Sequence, residues 1–391
     1  MSAVTADGGG FGLDHLPYGV LTTADDGERR VGVRYGDRVL DLASAFPDGG
    51  WRAPSLNGFL ARGRAAWDSV RAEVRVLLAG GGGEEHLLPL EAVTLHLPFE
   101  PRDYVDFYAS EQHASNVGRI FRPDAEPLLP NWKHLPVGYH GRAGTVVVSG
   151  TGIVRPSGQR KNPSDPAPVF GPTGRLDLEA ELGFVVGVGT ALGERVPAEA
   201  FADHVFGVVG LNDWSARDVQ GWEYVPLGPF LGKSFATTVS AWVTPLAALE
   251  AAWTDLPGQD PTPLPYLAPG RTRGLAIDVE VEIDGHVVSR PPYASMYWSP
   301  AQMLAHLTVN GASLTPGDLF ASGTISGRER DQLGSLLELT WGWREPVRVG
   351  DGERIALEDG DEVVLRYSAP GTGGGRITLG EVAGRVLPAR P

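Results

Sequence analysis

Between Leu176 and Val186 the chain reads LDLEAELGFVV, and in an extended strand side chains two apart share a face, so Asp177, Glu179 and Glu181 should point the same way. Carboxylates held side by side repel unless water or a cation separates them, which makes this segment a candidate divalent metal site of hard oxygen ligands. The alternative is a solvated strand face, and the chain carries an example of one. Asp278, Glu280, Glu282 and Asp284 alternate with Val279, Val281 and Ile283 and run into an Asp284-Gly285 turn, the pattern of antiparallel sheet with a wet side. The first segment differs in continuing into Phe184-Val185-Val186, as a strand entering a core does.

Asp213 and Arg217 follow the apolar run Val205–Leu211, at the kind of strand end where function gathers. A helix N-cap Asp with an Arg four residues on explains the same pair. Gly232-Lys233-Ser234 resembles the end of a phosphate loop, but Leu227 stands where the first glycine is required and Pro226 and Pro229 interrupt the segment, so nucleotide binding is disfavoured. Lys233 and Thr237, four apart, can still serve one site. No G-x-S-x-G occurs, so a hydrolase of this sequence would use water as its nucleophile and need a base. Of nine His, His113 has the most polar, aromatic and acidic neighbourhood, DYVDFYASEQH from Asp103 to His113; a structural hydrogen-bonding role fits that setting as well as a base does.

Composition narrows the chemistry. With 33 basic and 48 acidic residues the 391-residue chain has a formal charge of −15, which argues against nucleic acid or an anionic membrane as partner. Zero cysteine excludes disulfides, thiolate metal sites and cysteine nucleophiles. No apolar run reaches the roughly 18 residues of a membrane helix, and Met1–Gly12 lacks the basic and apolar regions of a leader, so a soluble cytoplasmic protein is expected. The spacing predicts a β meander over residues 17–42, with a Gly36-Asp37 turn, then a helix from Ser55 as N-cap through Leu78 with a break at Gly63. After Pro98 the chain becomes Pro- and aromatic-rich, which places a domain boundary near residue 100: 1–100 and 101–391. Strands are expected at Leu176–Val188, Leu275–Ile283 and Glu362–Tyr367, and a helix from the capping box Ser299–Gln302 to Asn310. The second part reads as a β-rich body with few helices.

The words Asp106-Phe107-Tyr108, Gln112-His113, Asn131-Trp132, HLPVGYHGR (His134–Arg142), NDWSARD (Asn212–Asp218), WEYVPLGPFLGKS (Trp222–Ser234) and SGTISG (Ser322–Gly327) resemble, in order and spacing, those of the fumarylacetoacetate hydrolase family. The resemblance runs from about residue 100 to the end and is weaker before that. It implies a mainly β fold, a small SH3-like N-terminal barrel followed by a larger domain of rolled mixed sheet, assembled as a homodimer. It also implies hydrolysis of a small β-diketo acid in tyrosine and phenylalanine breakdown. By the same resemblance Mg²⁺ or Ca²⁺ would be held by Asp106, Glu179, Glu181 and Asp213, with Lys233 and Thr237 beside the ion and Asp177 left as a neighbour. His113 would be the base, oriented by Glu338; Arg217, Gln220 and Lys233 would stabilise an oxyanion; Tyr108, Arg122, Tyr139, Tyr224 and Thr324 would contact the substrate. The chain departs from the pattern at Glu111, where relatives can carry a basic residue, and at Gly327–Arg330, ahead of Glu338. A keto-acid isomerase or decarboxylase would need the metal without the His113–Glu338 pair, and a non-enzymatic scaffold would be expected to have lost some of these groups.

Overall fold

A computed structural model describes residues 8–162, 164–268 and 270–391. Most of the Met1–Gly12 segment considered for a leader lies outside them. Tyr18–Thr23, Arg30–Tyr35 and Arg38–Asp41 form the expected meander, with Gly36 in the left-handed region (φ +62°) at the tight turn that pairs Tyr35 with Arg38. Leu87–Pro89 and Val93–His96 complete a five-stranded antiparallel half-barrel. The predicted helix is two: Asn57–Leu60 and Arg64–Ala79, separated at Gly63 (φ +80°). Ser55 does not cap it; Leu56 precedes the first turn and no side chain caps it. The longer helix buries Trp67, Val74 and Leu78 against the half-barrel.

The remainder is dominated by a curled mixed sheet of eight strands. Along it run Gly138–His140, Tyr104–Phe107, Leu319–Ala321, Ala180–Val186, Val205–Asp213, Thr237–Val239 and Val146–Val148, and the eighth, Thr244–Pro245, pairs beside Val205–Asp213. The pairings of Leu319–Ala321 with Tyr104–Phe107 and of Thr237–Val239 with Val146–Val148 are parallel; the rest are antiparallel. Val185, Phe206, Val209 and Leu211 face the apolar cluster shared with the N-terminal sheet, whereas Leu182, Phe184, Val186 and Val208 belong to the main core. Ala180–Val186 is therefore buried on both faces, which is why it lacks the apolar–polar alternation of a surface strand. Among the described residues no helix is long and apolar enough to cross a membrane.

Three more expectations are corrected. Leu176–Val188 is not one strand: Leu176–Asp177 pairs with Ser215–Ala216, and the ladder resumes only at Ala180 and ends at Val186. The cause is local, since Asp177 Oδ1 accepts the Leu178 amide (2.8 Å) and Asn212 Oδ1 accepts that of Glu179 (3.0 Å), which takes both out of the ladder. Leu275–Ile283 likewise divides, Arg273–Leu275 pairing with Trp253–Asp255 and Asp278–Ile283 with Glu362–Pro370. Asp213 ends its strand rather than lying past it, and it does not cap helix Arg217–Glu223, where Ala216 holds that place. The comparison strand Asp278–Ile283 behaves as expected: Val279, Val281 and Ile283 are buried, Asp278 is exposed and Glu280 pairs with Arg290 outside. The helix after Ser299 runs Pro300–Thr308 with both capping-box bonds formed.

Candidate active site

The strand order brings the acidic residues together. Asp106 sits on Tyr104–Phe107, Glu181 on Ala180–Val186, Asp213 at the end of Val205–Asp213 and Thr237 directly opposite Asp213. Glu179 joins them from the irregular residues before its strand. Asp106, Glu179, Glu181 and Asp213 are all buried, and each offers an oxygen within 4.8 Å of the others'. Tyr139 donates to Asp213 Oδ2 (2.9 Å), Thr237 to Asp213 Oδ1 (2.9 Å), and Lys233 Nζ to Asp213 Oδ2 (2.7 Å) and to Glu179. Lys233 and Thr237 thus meet at one carboxylate, as their spacing suggested. A cavity of about 300 Å³ opens onto Tyr139, Asp213 and Lys233.

The cluster is short of positive charge. Four carboxylates face two cations, Lys233 and Arg217, and Asp106 Oδ1 and Glu181 Oε1 are buried without any hydrogen-bond partner among the described residues. Burial, and after it the repulsion of neighbouring carboxylates, pushes the Asp106 and Glu181 carboxyls well above the usual carboxylate range. Burial acts the same way on Glu179, but Arg217 and Lys233 outweigh it and hold that carboxyl below the range. Unpaired hard oxygens converging in a buried site suit a divalent cation that prefers oxygen; zinc prefers His and Cys.

Beside the carboxylates, His113 lies in the first turn of helix Glu111–Phe121, where Ser110 caps the helix by accepting the His113 amide (3.2 Å). Its Nδ1 donates to Glu338 Oε2 at 2.6 Å, and its Nε2 faces Glu179 Oε1 at 3.8 Å. Glu338 accepts in addition from Asn116 (2.9 Å), Ser326 (2.9 Å) and Ser335 (2.9 Å). Burial alone would raise its carboxyl; His113, Asn116 and Ser326 outweigh it, and the group stays ionised below its usual range. An ionised Glu338 fixes the tautomer with the proton on Nδ1 and leaves Nε2 as the free basic nitrogen. Tyr108 packs edge-on to the imidazole, ring centroids 5.3 Å apart.

Arg217 donates Nε to Asp177 (2.9 Å), Nη2 to Glu179 (2.6 Å) and Nη1 to Gln220 (3.2 Å). Thr324 is buried with its hydroxyl unpartnered, in the segment whose Gly323 amide bonds Glu181 (3.1 Å) and whose Ser326 bonds Glu338. Among the described residues, the side chains of Arg122 and Tyr224 make no hydrogen bond to these groups. Arg122 donates to the Pro127 carbonyl (3.0 Å) with its Nε buried and free, and Tyr224 is exposed on the loop after Arg217–Glu223. Asp177 does not share the Glu179–Glu181 face; it holds Arg217 and the backbone amides of Leu336 and Leu337. Asn116, Ser326 and Ser335 escaped the sequence reading, although Ser335-x-x-Glu338 is a capping signature that pointed to Ser335.

Residues 103–387 match the family model described as "Fumarylacetoacetate (FAA) hydrolase C-terminal", and residues 14–98 match "Fumarylacetoacetase N-terminal". The chain is 45% identical over 411 residues to the human fumarylacetoacetase, covering 98% of each. It is 45% identical to that of Caenorhabditis elegans (97% of each chain) and 41% identical to that of Arabidopsis thaliana (97% of this chain, 96% of that one). Among solved structures, a fumarylacetoacetate hydrolase from Exiguobacterium antarcticum shares the fold at a TM-score of 0.58 and 17% identity, over 96% of this chain and 100% of that one. Maleylpyruvate hydrolase from Sphingobium sp. SYK-6, in complex with manganese(II) ion and pyruvate, does so at 0.54 and 17%, with the same coverage. With residues 14–98 and 103–387 both matched and relatives aligned over nearly its whole length, the chain belongs to the fumarylacetoacetate hydrolase family.

Proposed function

We infer that this protein hydrolyses the carbon–carbon bond of 4-fumarylacetoacetate to fumarate and acetoacetate, the last step of tyrosine and phenylalanine breakdown. The observation that carries the reading is the buried His113–Glu338 pair, whose free nitrogen faces the carboxylate cluster. Identity of 41–45% to fumarylacetoacetases over nearly the full length supports the choice of substrate.

In the proposed reaction His113 Nε2 takes a proton from water as its oxygen attacks the fumaryl ketone carbon, and Glu338 stabilises the imidazolium that forms. The alkoxide so created lies among the donors Arg217, Gln220 and Lys233, fixed before the charge develops. Collapse forms the new carboxyl of fumarate and breaks the bond to the adjacent methylene. The electron pair leaves on that carbon, delocalised into the neighbouring ketone, and protonation makes it the methyl group of acetoacetate. Mg²⁺ or Ca²⁺ held by Asp106, Glu179, Glu181 and Asp213, next to Lys233 and Thr237, would supply Lewis acidity at the substrate's 1,3-dicarbonyl oxygens. Purified protein should abolish the ultraviolet absorbance of fumarylacetoacetate; persistence of that absorbance with divalent ions present contradicts the reading.

Tyr108, Tyr139, Tyr224 and Thr324 fit contacts along the substrate, and Arg122, with its free Nε, fits a terminal carboxylate. A carboxylate equally charged in ground and transition state gains no differential binding, so Arg122→Met is expected to raise KM by about tenfold and to change kcat less. Steady-state kinetics decide this, and an unchanged KM removes Arg122 from the site. We further infer a cytoplasmic homodimer. The dimer is supported by the exposed apolar side chains Trp222, Val225, Leu227, Phe230 and Leu231, gathered within ten residues of chain. Light scattering is expected to give twice the 41.6 kDa of one chain; a monomeric mass at micromolar concentration contradicts it.

A further inference from the structure

Asp177 has no place in the proposed ligand set, yet its side chain is completely buried and serves three parts of the site at once. Oδ1 accepts the amides of Leu178 (2.8 Å) and Leu336 (2.7 Å); Oδ2 accepts Arg217 Nε (2.9 Å) and the Leu337 amide (3.2 Å). Leu178 precedes Glu179. Leu336 and Leu337 open the turn Leu336–Leu339 that carries Glu338, and Arg217 reaches on to Glu179 and Gln220. We propose that Asp177 is a positioning residue for hydrolysis: its carboxylate fixes the Arg217 guanidinium and the Glu338 turn relative to each other, so that the oxyanion donor and the partner of the base keep one geometry.

The chemistry of the four donors makes the group specific. Each oxygen takes two N–H groups, a load only an ionised carboxylate can bear on both sides. An amide serves one pair and turns its own N–H₂ against the other. Asp177 is the acceptor of Arg217 Nε, while Glu179 and Gln220 take its two Nη groups. Without Asp177, Arg217 keeps Glu179 and Gln220, and its charge is drawn toward Glu179, away from where the alkoxide forms. Displacement of a catalytic group by about 1 Å costs on the order of 10²-fold in rate.

This inference rests on the hydrolytic reading, so its test includes a readout that does not need turnover. Asp177→Asn and Asp177→Ser are compared with Arg217→Gln and with Asp177→Asn/Arg217→Gln. Asp177→Asn is expected to lower kcat by about 10²-fold with KM within about threefold of wild type. In the Arg217→Gln background it should cost less than about threefold more, since groups acting through one another are non-additive. In ¹H–¹⁵N spectra the Arg217 Nε–H signal, identified by its loss in Arg217→Gln, should exchange slowly in wild type and freely in Asp177→Asn. Wild-type kcat in Asp177→Asn, losses that multiply in the double variant, or an unchanged Nε–H signal each overturn the proposal. So does failure of both Asp177 variants to fold while Arg217→Gln folds, which would make Asp177 a core residue only. Absence of turnover in wild type contradicts the hydrolytic reading instead, and the Nε–H comparison still decides the role of Asp177.

Discussion

Exhaustive chelation is expected to abolish turnover and readdition of Mg²⁺ or Ca²⁺ to restore it, while Asp213→Ala and Glu181→Ala stay inactive at any ion concentration. Asp106 Oδ1 and Glu181 Oε1 have no partner of their own, and Asp213, with donors from Tyr139, Lys233 and Thr237, completes the ring; three remaining ligands cannot hold the ion in place. The ion-free protein should also show a distinctive pH dependence of stability. The Asp106 and Glu181 carboxyls are raised in the fold, so the folded state binds more protons than the unfolded one. Stability is then full below the ordinary carboxylate range near pH 4 and falls as pH rises above it toward the raised values. Glu179, held low, acts only below that range. Thermal melts of chelated protein should therefore lose Tm from about pH 5 upward, whereas melts with Mg²⁺ or Ca²⁺ should not. Full activity after chelation, or equal pH slopes with and without the ion, would contradict the metal assignment.

The second large effect is expected at Glu338, 225 residues after His113. Glu338→Gln keeps the size of the side chain and removes no proposed ligand, so fold and ion binding should survive. The imidazole loses the carboxylate that fixes its tautomer and stabilises its protonated form. A drop in kcat of roughly 10²–10⁴, with little change in KM, is the scale of general base catalysis. His113→Ala should match it, and the double variant should be scarcely worse than either, because the pair works as a unit. Losses that multiply, or wild-type hydrolysis in either single variant, would show that water is activated elsewhere.

How legible the site was depended on whether its spacing was local. Glu179 and Glu181 stood out because strand periodicity is two, and the contrast with Asp278–Asp284 separated a buried acidic strand from a wet one. The same rule misplaced Asp177, because side-chain acceptors take the Leu178 and Glu179 amides out of the ladder and the parity is lost there. Lys233 and Thr237 were paired by spacing and do meet, one from a turn and the other from the start of a strand. Glu338 could come only from resemblance to a family, since no local pattern links it to His113. The meander and the Ser299 capping box were readable from turn and cap chemistry. The insertion of Leu319–Ala321 between Tyr104–Phe107 and Ala180–Val186, which sets the spacing of Asp106 from Glu181, is a pairing of distant segments that no local pattern records.

The central claim is water-driven cleavage of a carbon–carbon bond, and product analysis tests it most directly. Fumarylacetoacetate incubated with the Mg²⁺-loaded protein, then quantified by chromatography, is predicted to yield fumarate and acetoacetate in equal amounts, matched to the substrate lost. Release of carbon dioxide without fumarate, or an isomer of unchanged mass with no fumarate, would contradict it.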